Sequence, residues 1–365
     1  MIDVSILDPA HPHSVKKFEL IEAYVMAWAQ KLINYQKCTG LIYIDCMCNS
    51  GYYRGDDNEL IEGTPIRVLK VFQDVMGNHP DKQCWIYFSD LEAWKVDLLK
   101  NNLPPMPGNV HVETLVMDGN DLLRTIGNKL RPGLSVSYLM VYDPFEADID
   151  WAAIMPFFRG WGEVILNHMV LDAVRAVKMA KRPETIEKYE RTYLSKIEDL
   201  ISMGSDKDLF EERIEEIIRV LRGSRRYYIA AYPFFNSKNS IVYDLIHCTG
   251  HEEGFKLYKK TAWKTFGDRS SIKDRHGSEN EFVIDPKTCE ITTVTDTHCY
   301  NLNDLLKYVK GHFKGQENVS IDDIYALLDE HPVFPSDGYK PQIKKMLKED
   351  PEVTEVSKGK VFSFQ

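Results

Sequence analysis

Leu41-Ile42-Tyr43-Ile44-Asp45 and Val136-Ser137-Tyr138-Leu139-Met140-Val141-Tyr142-Asp143-Pro144-Phe145 are two apolar runs that each stop at an aspartate. Strands buried on both faces of an open parallel sheet read as such runs, and ligands meet these sheets where the strands end. Asp45 and Asp143 are therefore placed to meet a ligand. Outward from the first run, apolar residues at Leu20, Ile21, Tyr24, Val25, Trp28 and Leu32 mark an amphipathic helix over 16–35. A polar loop, 49–55, follows the run, and a helix over about 64–76 follows the loop, with Thr64 as N-cap and Pro65 in its first turn. A second strand, 84–88, closes on Ser89-Asp90 and leads to a helix over about 92–103, stopped by Pro104-Pro105. A third strand, 111–117, ends at Asp118-Gly119, with Asp121 placed to cap the next helix, and 163–167 is the fifth strand. This alternation predicts a parallel α/β sheet.

Residues 172–223 are charged and helical in period, with a break at Met203-Gly204-Ser205, and read as a helical insertion over one edge of the sheet. The β-rich runs 226–234 and 240–247, separated by 235–239, form a hairpin signal. An α/β sheet finished by an antiparallel hairpin resembles the Rossmann-like class I methyltransferase fold. The expected division is an α/β domain over 1–266, a polar linker with a short β segment over 267–300, and a small domain over 301–365. The last has three helices followed by a short hairpin, the winged helix-turn-helix plan.

A chain of 365 residues with 44% hydrophobic content can build about two domains. No N-terminal stretch joins a basic segment to an apolar one, and no run reaches the ~18 apolar residues that cross a bilayer, so a cytoplasmic location and no membrane partner are expected. Seven cysteines without CxxC spacing indicate neither a metal site nor a disulfide framework, and Cys46 and Cys48 read as small, half-buried packing residues. The net charge of −10 argues against indiscriminate nucleic-acid binding but not against a local basic patch. The best patch lies at 255–278, where Lys256, Lys259, Lys260, Lys264, Arg269, Lys273 and Arg275 alternate with Tyr258, Trp263 and Phe266. Lys260, Lys264 and Arg269 are its candidate substrate contacts; a solvated helix face explains the pattern equally well. His11 and His13, in an N-terminal segment, carry no metal signal.

If the cofactor is S-adenosylmethionine, Asp45 with Asn49, Ser50 and Gly51 would receive its methionine end, Asp90 its ribose hydroxyls, and Asp118 its adenine amine. Each acid after a strand can equally be only a helix cap. The loop 46–51 has one glycine where such loops usually have two or three. Asp143-Pro144-Phe145 has the character of the Asp-Pro-Pro-aromatic motif of amino methyltransferases and of the Asp-Pro-Phe-Gly of tRNA guanine-N2 dimethyltransferases. In those enzymes acceptor groups hold an exocyclic amine while an aromatic ring stacks on the base. Here Glu146 stands at the glycine position, and a proline-stiffened turn is the structural alternative. The absence of a cysteine after Pro144 argues against a C5-cytosine mechanism. Asn167 either orients Asp143 or caps the next helix.

Several segments in order resemble the three-Cys-motif partner proteins, a bacterial family named for a neighbouring protein. Lys17-Phe18-Glu19-Leu20-Ile21-Glu22-Ala23-Tyr24 is similar to its opening Lys-His-Glu-x-Leu-x-x-Tyr, and 44–53 and 63–66 to its Asp-x-Phe-Ala-Gly-Pro-Gly-Arg-Tyr and Gly-Ser-Pro-Leu segments. Asp143-Pro144-Phe145, Val164-Ile165-Leu166-Asn167 and the stretch from Tyr243 to Gly254 resemble its Asp-Pro-Phe-Gly, Ile-x-Asn and Tyr-x-Leu-Ile-x-x-Thr-x-His-x-x-Gly elements. The resemblance covers roughly 14–265 and implies a methyltransferase fold, a nucleic-acid context (RNA or DNA) and a protein partner encoded nearby. Met47-Cys48 and Ser50 replace small residues of the family's first loop, and a bulkier loop would crowd the methionine moiety. The leading reading is an S-adenosylmethionine-dependent methyltransferase acting on an exocyclic amine of a nucleic-acid base, with Asp143, Pro144 and Phe145 at the acceptor. The alternatives are a non-catalytic binding module of the same fold that engages a partner protein or DNA through its winged domain, and a small-molecule methyltransferase that dimerises through it. Nine Lys and no Arg against eleven acids in 301–365 do not make a strongly basic DNA reader.

Overall fold

The computed structural model describes residues 2–130, 135–158, 162–204, 206–223, 226–236, 240–271, 281–284, 291–294 and 299–365. Lys273, Arg275, Ser205, most of the 267–300 linker and residues 237–239 of the hairpin turn lie outside the described residues. The long opening helix α1 (Pro12–Ile33) buries Leu20, Ile21, Tyr24, Val25 and Trp28, the stripe its 3.6-residue period requires. It delivers the chain to β1 (Gly40–Asp45), beyond which a small hairpin, β2 (Tyr52–Arg54) and β3 (Leu60–Glu62), replaces the expected irregular loop. In α2 (Thr64–Gly77), Gly63 takes the N-cap position and Thr64 is the first helical residue, so Thr64 is not the cap; Pro65 sits in the first turn as its missing N–H allows. β4 (Gln83–Asp90) and α3 (Ala93–Asn101) follow, the helix ending before the proline pair.

After β5 (Val110–Val116), helix α4 (Gly119–Gly127) is capped by Asp118, not by Asp121: the Asp118 carboxylate accepts from the N–H groups of Asn120 and Asp121. Next come β6 (Val136–Tyr142), α5 (Trp151–Phe158) and β7 (Gly162–His168). The helical insertion comprises α6 (Val170–Ala176), α7 (Pro183–Tyr193), α8 (Ile197–Ser202) and α9 (Lys207–Arg222), and β8 (Tyr228–Phe235) and β9 (Ile241–Thr249) form the hairpin.

These strands form one seven-stranded sheet in the order β5-β4-β1-β6-β7-β9-β8, parallel except that β9 runs antiparallel to both its neighbours. This is the Rossmann-like methyltransferase sheet with its antiparallel hairpin. Successive residues of β1 and β6 feed two different cores. Tyr43, Leu139 and Val141 face one built with α1 and α2, while Ile44, Met140 and Tyr142 face the other, built with α4, α5 and the insertion. That double burial is why both strands read as unbroken apolar runs. The insertion packs over the β9–β8 edge of the sheet, where Tyr189, Tyr193, Phe210 and Ile214 join Ile229, Ile246 and Cys248 in the second core.

The chain continues through α10 (Glu252–Thr265) and a strand pair, β10 (Glu281–Ile284) and β11 (Ile291–Val294), to α11 (Leu302–Phe313). The C-terminal unit adds β12 (Val319–Ser320), α12 (Ile321–Glu330), α13 (Lys340–Glu349), β13 (Val353–Ser357) and β14 (Val361–Phe364), its strands forming a small antiparallel sheet in the order β12-β14-β13. Ser320 caps α12 through a capping box, as its position before Ile321 suggests. Among the described residues no helix is long and apolar enough to cross a membrane.

The C-terminal unit is fastened to α10. Lys259 is fully buried, and its ammonium donates to the carbonyls of Leu328 (2.8 Å), Asp329 (3.0 Å) and His331 (2.7 Å) at the exit of α12. The end of a helix leaves such carbonyls without partners, and a cation there also meets the negative end of the helix dipole. The Trp263 indole and the Tyr232 hydroxyl both donate to the Val333 carbonyl, and Lys256 pairs with Asp329 at 3.0 Å. Replacing Lys259 by Met should therefore cost about 2–4 kcal/mol, because three buried carbonyls lose their donor. Urea denaturation would show this as a lowered midpoint, and an unchanged midpoint would mean that the lysine does not fasten the unit.

Candidate functional site

Strand order reverses at β1, with β4 and β5 to one side and β6 and β7 to the other, so a crevice opens at the carboxyl ends of β1 and β6. The tight loop after β1 is wound by two left-handed residues, Asn49 (φ 58°) and Gly51 (φ 77°). Gly51 also has no room for a side chain, since a Cβ there would lie 2.8 Å from Leu99 and 3.1 Å from Ile66. Cys46, Cys48 and Ser50 turn inward and are buried, the two cysteines fully rather than half-buried, while Met47 packs against the second core. The bulkier replacements in this loop are thus absorbed by the interior, and the expected crowding does not arise from Cys48 or Ser50.

Asp45 is buried, 3% exposed. Burial, reinforced by the nearby Asp143, pushes its carboxyl up to about 7. Asp90, at the end of β4, accepts from the backbone N–H of Asn49 at 3.0 Å and of Glu92 at 2.9 Å, which ties the loop after β1 to the next strand. The Asn49 side chain donates to Asp8 at 2.7 Å, and Asp8 pairs with Lys95 at 3.1 Å, so the N-terminal segment is anchored beside the loop. Asp118 stands at the end of β5 with one carboxylate oxygen taken up in capping α4.

Asp143 is held from two sides. Its Oδ1 accepts from the Asn167 amide at 2.5 Å, and its Oδ2 pairs with the Lys17 ammonium at 2.5 Å. Asn167 therefore orients Asp143 and does not cap a helix, and its own Oδ1 is buried without a partner among the described residues. Lys17 also lies over the Tyr243 ring, 5.1 Å from its centroid. Pro144 is buried, but Phe145 is 94% exposed, a large ring presented to solvent next to a fixed carboxylate. Lys17 was not singled out from the sequence as a site residue: nothing in its helical period distinguishes it from a solvated lysine, and only the topology brings it to Asp143.

The basic segment after β9 behaves differently from the sequence expectation. Tyr258, Trp263 and Phe266 are core residues, and Lys256 and Lys259 serve the junction with the C-terminal unit. Lys260 pairs with Asp337 at 3.0 Å in the same junction, and Arg269 forms an isolated bridge with Asn301. Lys264, in the last turn of α10, is exposed. The structure thus gathers Asp45, Asn49, Ser50, Gly51, Asp90, Asp118 and Asp143 at the strand ends and places Lys260, Lys264 and Arg269 along α10 and its exit.

No protein-family model and no curated protein matches this chain. Solved structures similar to it include protein LPL1258 from Legionella pneumophila (12% identity, 68% of this chain and 92% of that one, TM-score 0.39). The Bacillus cereus O-methyltransferase in complex with SAH is similar at 12% identity over 61% and 80% of the two chains, TM-score 0.31. Human methyltransferase-like protein 13 in complex with SAH is similar at 9% over 73% and 96%, TM-score 0.34. The fold assignment rests on the strand order itself.

A carboxyl raised on folding binds a proton that the unfolded chain has already released. Its contribution to stability is full below about pH 4 and is lost as the pH rises through the interval to about 7. Asp45→Asn should remove this loss, becoming more stable than wild type by roughly 2–4 kcal/mol at pH 8 relative to the difference at pH 4. Denaturation curves at the two pH values would show it, and parallel curves for both proteins would contradict the burial of an ionising carboxyl.

Proposed function

We propose that this chain is an S-adenosylmethionine-dependent methyltransferase whose acceptor is an exocyclic amine of a nucleic-acid base. The observation that carries this reading is the pairing of a fixed carboxylate, Asp143, with the fully exposed ring of Phe145 on the same short turn. An amine needs acceptors that fix its hydrogens and leave its lone pair aimed, and a flat base needs a ring to lie on. Asp143 and the unmatched Asn167 Oδ1 supply acceptors, and Phe145 supplies the ring.

The chemistry of the strand ends fits the cofactor: a tight loop with left-handed Asn49 and Gly51 beside Asp45 for an amino-acid end, and Asp90 and Asp118 on successive strands for a nucleoside. S-adenosylmethionine would bring an electrophilic methyl group on a sulfonium. Asp45, Asn49, Ser50 and Gly51 would hold its methionine end, Asp90 the ribose hydroxyls, and the free oxygen of Asp118 the adenine amine. Lys17 keeps Asp143 from facing Asp45 as an unbalanced second negative charge.

The nucleic-acid side of the proposal is supported by how the C-terminal unit sorts its charges. Six of its nine lysines, Lys340, Lys344, Lys345, Lys348, Lys358 and Lys360, lie on α13 and the β13–β14 turn, where a winged helix meets a duplex, against four acids over 340–365, of which Glu349 and Glu355 pair with Lys345 and Lys348. We also infer membership of the three-Cys-motif partner family. The segments that resemble its motifs converge here, Lys17 on Asp143, Asn167 on Asp143 and Tyr243 beneath Lys17.

One observation favours the second reading, a binding module without catalysis. Both oxygens of Asp90 already accept a backbone N–H, so a ribose diol would have to share them. Calorimetric titration with S-adenosylmethionine separates the two: the enzyme reading expects micromolar binding that Asp90→Ala weakens at least tenfold, roughly the worth of one charge-assisted pair. No binding would support the module. With methyl-labelled cofactor and total RNA or DNA as acceptor, Asp143→Ala should abolish transfer while cofactor affinity stays within a few-fold, and equal activity in mutant and wild type would remove Asp143 from the acceptor site.

A further inference from the structure

A second buried carboxylate lies at the opposite end of the sheet, where the strands begin. Glu163 is the only acid of β7, a strand buried along its whole length, and it is 5% exposed on the face that packs against α1 and α10. The sheet accommodates it by a side-chain deletion. A Cβ on Gly254, in the first turn of α10, would lie 2.5 Å from Glu163 Oε1, so only glycine leaves space for the carboxylate.

The carboxylate is held by two donors. The Tyr24 hydroxyl of α1 donates to Glu163 Oε2, and His247 Nε2 of β9 lies 2.6 Å from the same oxygen. His247 Nδ1 is buried without a partner among the described residues, so the proton of this contact is assigned to Nε2. Its plane stacks on Tyr258 at 4.3 Å, which fixes that orientation. Burial and Glu163 together hold the Tyr24 hydroxyl well above its ordinary range, so it stays a donor. Both contacts to the carboxylate fall on Oε2, and the Tyr24 hydroxyl also lies 3.1 Å from His247 Nε2. Among the described residues no lysine or arginine pairs with Glu163, the nearby Lys31 being engaged by Glu253 at 2.8 Å.

Glu163 lines a cavity of about 650 Å³ whose walls include Trp28, Leu32, Tyr35 and Leu257, with Lys31 and Lys37 also in the lining. Small-molecule sites commonly enclose about 300–1,000 Å³, mostly apolar with a few placed polar groups. A carboxylate preorganised from behind by two donors, paired with no described lysine or arginine and set in a largely apolar cavity, is an incomplete ion pair. We propose that this cavity is a ligand site, separate from the strand-end crevice, for a protonated amine or amidine carried on an apolar, ring-sized body. The charged head would meet Glu163 Oε1, and the body would lie among the Trp28, Tyr35 and Leu257 side chains. The proposal does not depend on the methyltransferase reading, because no group in the cavity belongs to the crevice.

Benzamidine is a suitable probe, with benzamide as its uncharged analogue of the same shape, titrated by calorimetry or ligand-observed NMR without S-adenosylmethionine. The expected result is saturable benzamidine binding at least about tenfold tighter than benzamide, as loss of one charge-assisted contact implies. Glu163→Gln keeps the acceptor for Tyr24 and His247 and removes the charge, and it should reduce benzamidine affinity to the benzamide level. Leu257→Trp, which fills the chamber from its wall and leaves the network untouched, should abolish binding of both and serves if the Gln variant fails to fold. Asp90→Ala, at the other end of the sheet, should change neither. The proposal is overturned by absence of saturable benzamidine binding, by equal affinity for the two probes, or by binding lost in Asp90→Ala but retained in Leu257→Trp.

Discussion

Two carboxylates on neighbouring strands set the terms for the rest of this molecule. β1 and β6 lie side by side with Asp45 opposite Val141, so the chain must settle Asp45 and, two residues on, Asp143 against each other at the edge of a dry core. Like charges this close in a low dielectric cannot both stand unmodified. One solution is a proton, and Asp45 is displaced toward it. The other is a counter-ion, and Lys17 provides it. That pair ties the first turns of α1 to the strand ends, and α1 then runs down the sheet to bury Tyr24 and Trp28 against the strands' beginnings. One helix thus contributes to both ends of the sheet, through Lys17 at the crevice and Tyr24 and Trp28 at the second cavity.

The architecture was legible in the sequence to the extent that burial leaves a periodic trace. β1 and β6 are apolar along most of their length because each face meets a different core, and the antiparallel hairpin announces itself by two β-rich runs around a polar break. The errors share a cause. Residue type points to Thr64 and Asp121 as caps, but the caps are Gly63, one residue earlier, and Asp118, three earlier, and propensity says little about shifts of this size. The short β2–β3 pair contains no buried face and so carries no alternation to read.

The site was only half legible for a different reason. Asp45, Asp90, Asp118 and Asp143 could be named because strand ends are local features, whereas Lys17, 126 residues from its partner, and Lys259, some 70 from its acceptors, have meaning only through tertiary contact. Interleaved lysines and aromatics after β9 read as a phosphate-facing patch. They are instead one helix with a core face of Tyr258 and Trp263 and a polar face spent largely on the C-terminal unit. A composition count over 301–365 averages over the unit and does not show that six of its nine lysines lie on α13 and the β13–β14 turn.

The two ends of the sheet handle a buried acid in contrasting ways, and the contrast bears on what each can do. At the carboxyl ends, Lys17 offsets the charge of Asp143 alone, while Asp90 and Asp118 are held by backbone N–H groups. At the amino ends, Glu163 is held by the Tyr24 hydroxyl and the His247 ring, both on Oε2, and its other oxygen has no hydrogen-bond partner among the described residues. A salt bridge to a described lysine would have been the simpler way to stabilise the strand, and Lys31 is near enough to line the same cavity, yet it is paired with Glu253. The molecule thus spends Lys17 on Asp143 and leaves Glu163, at the other end of the sheet, without a described lysine or arginine.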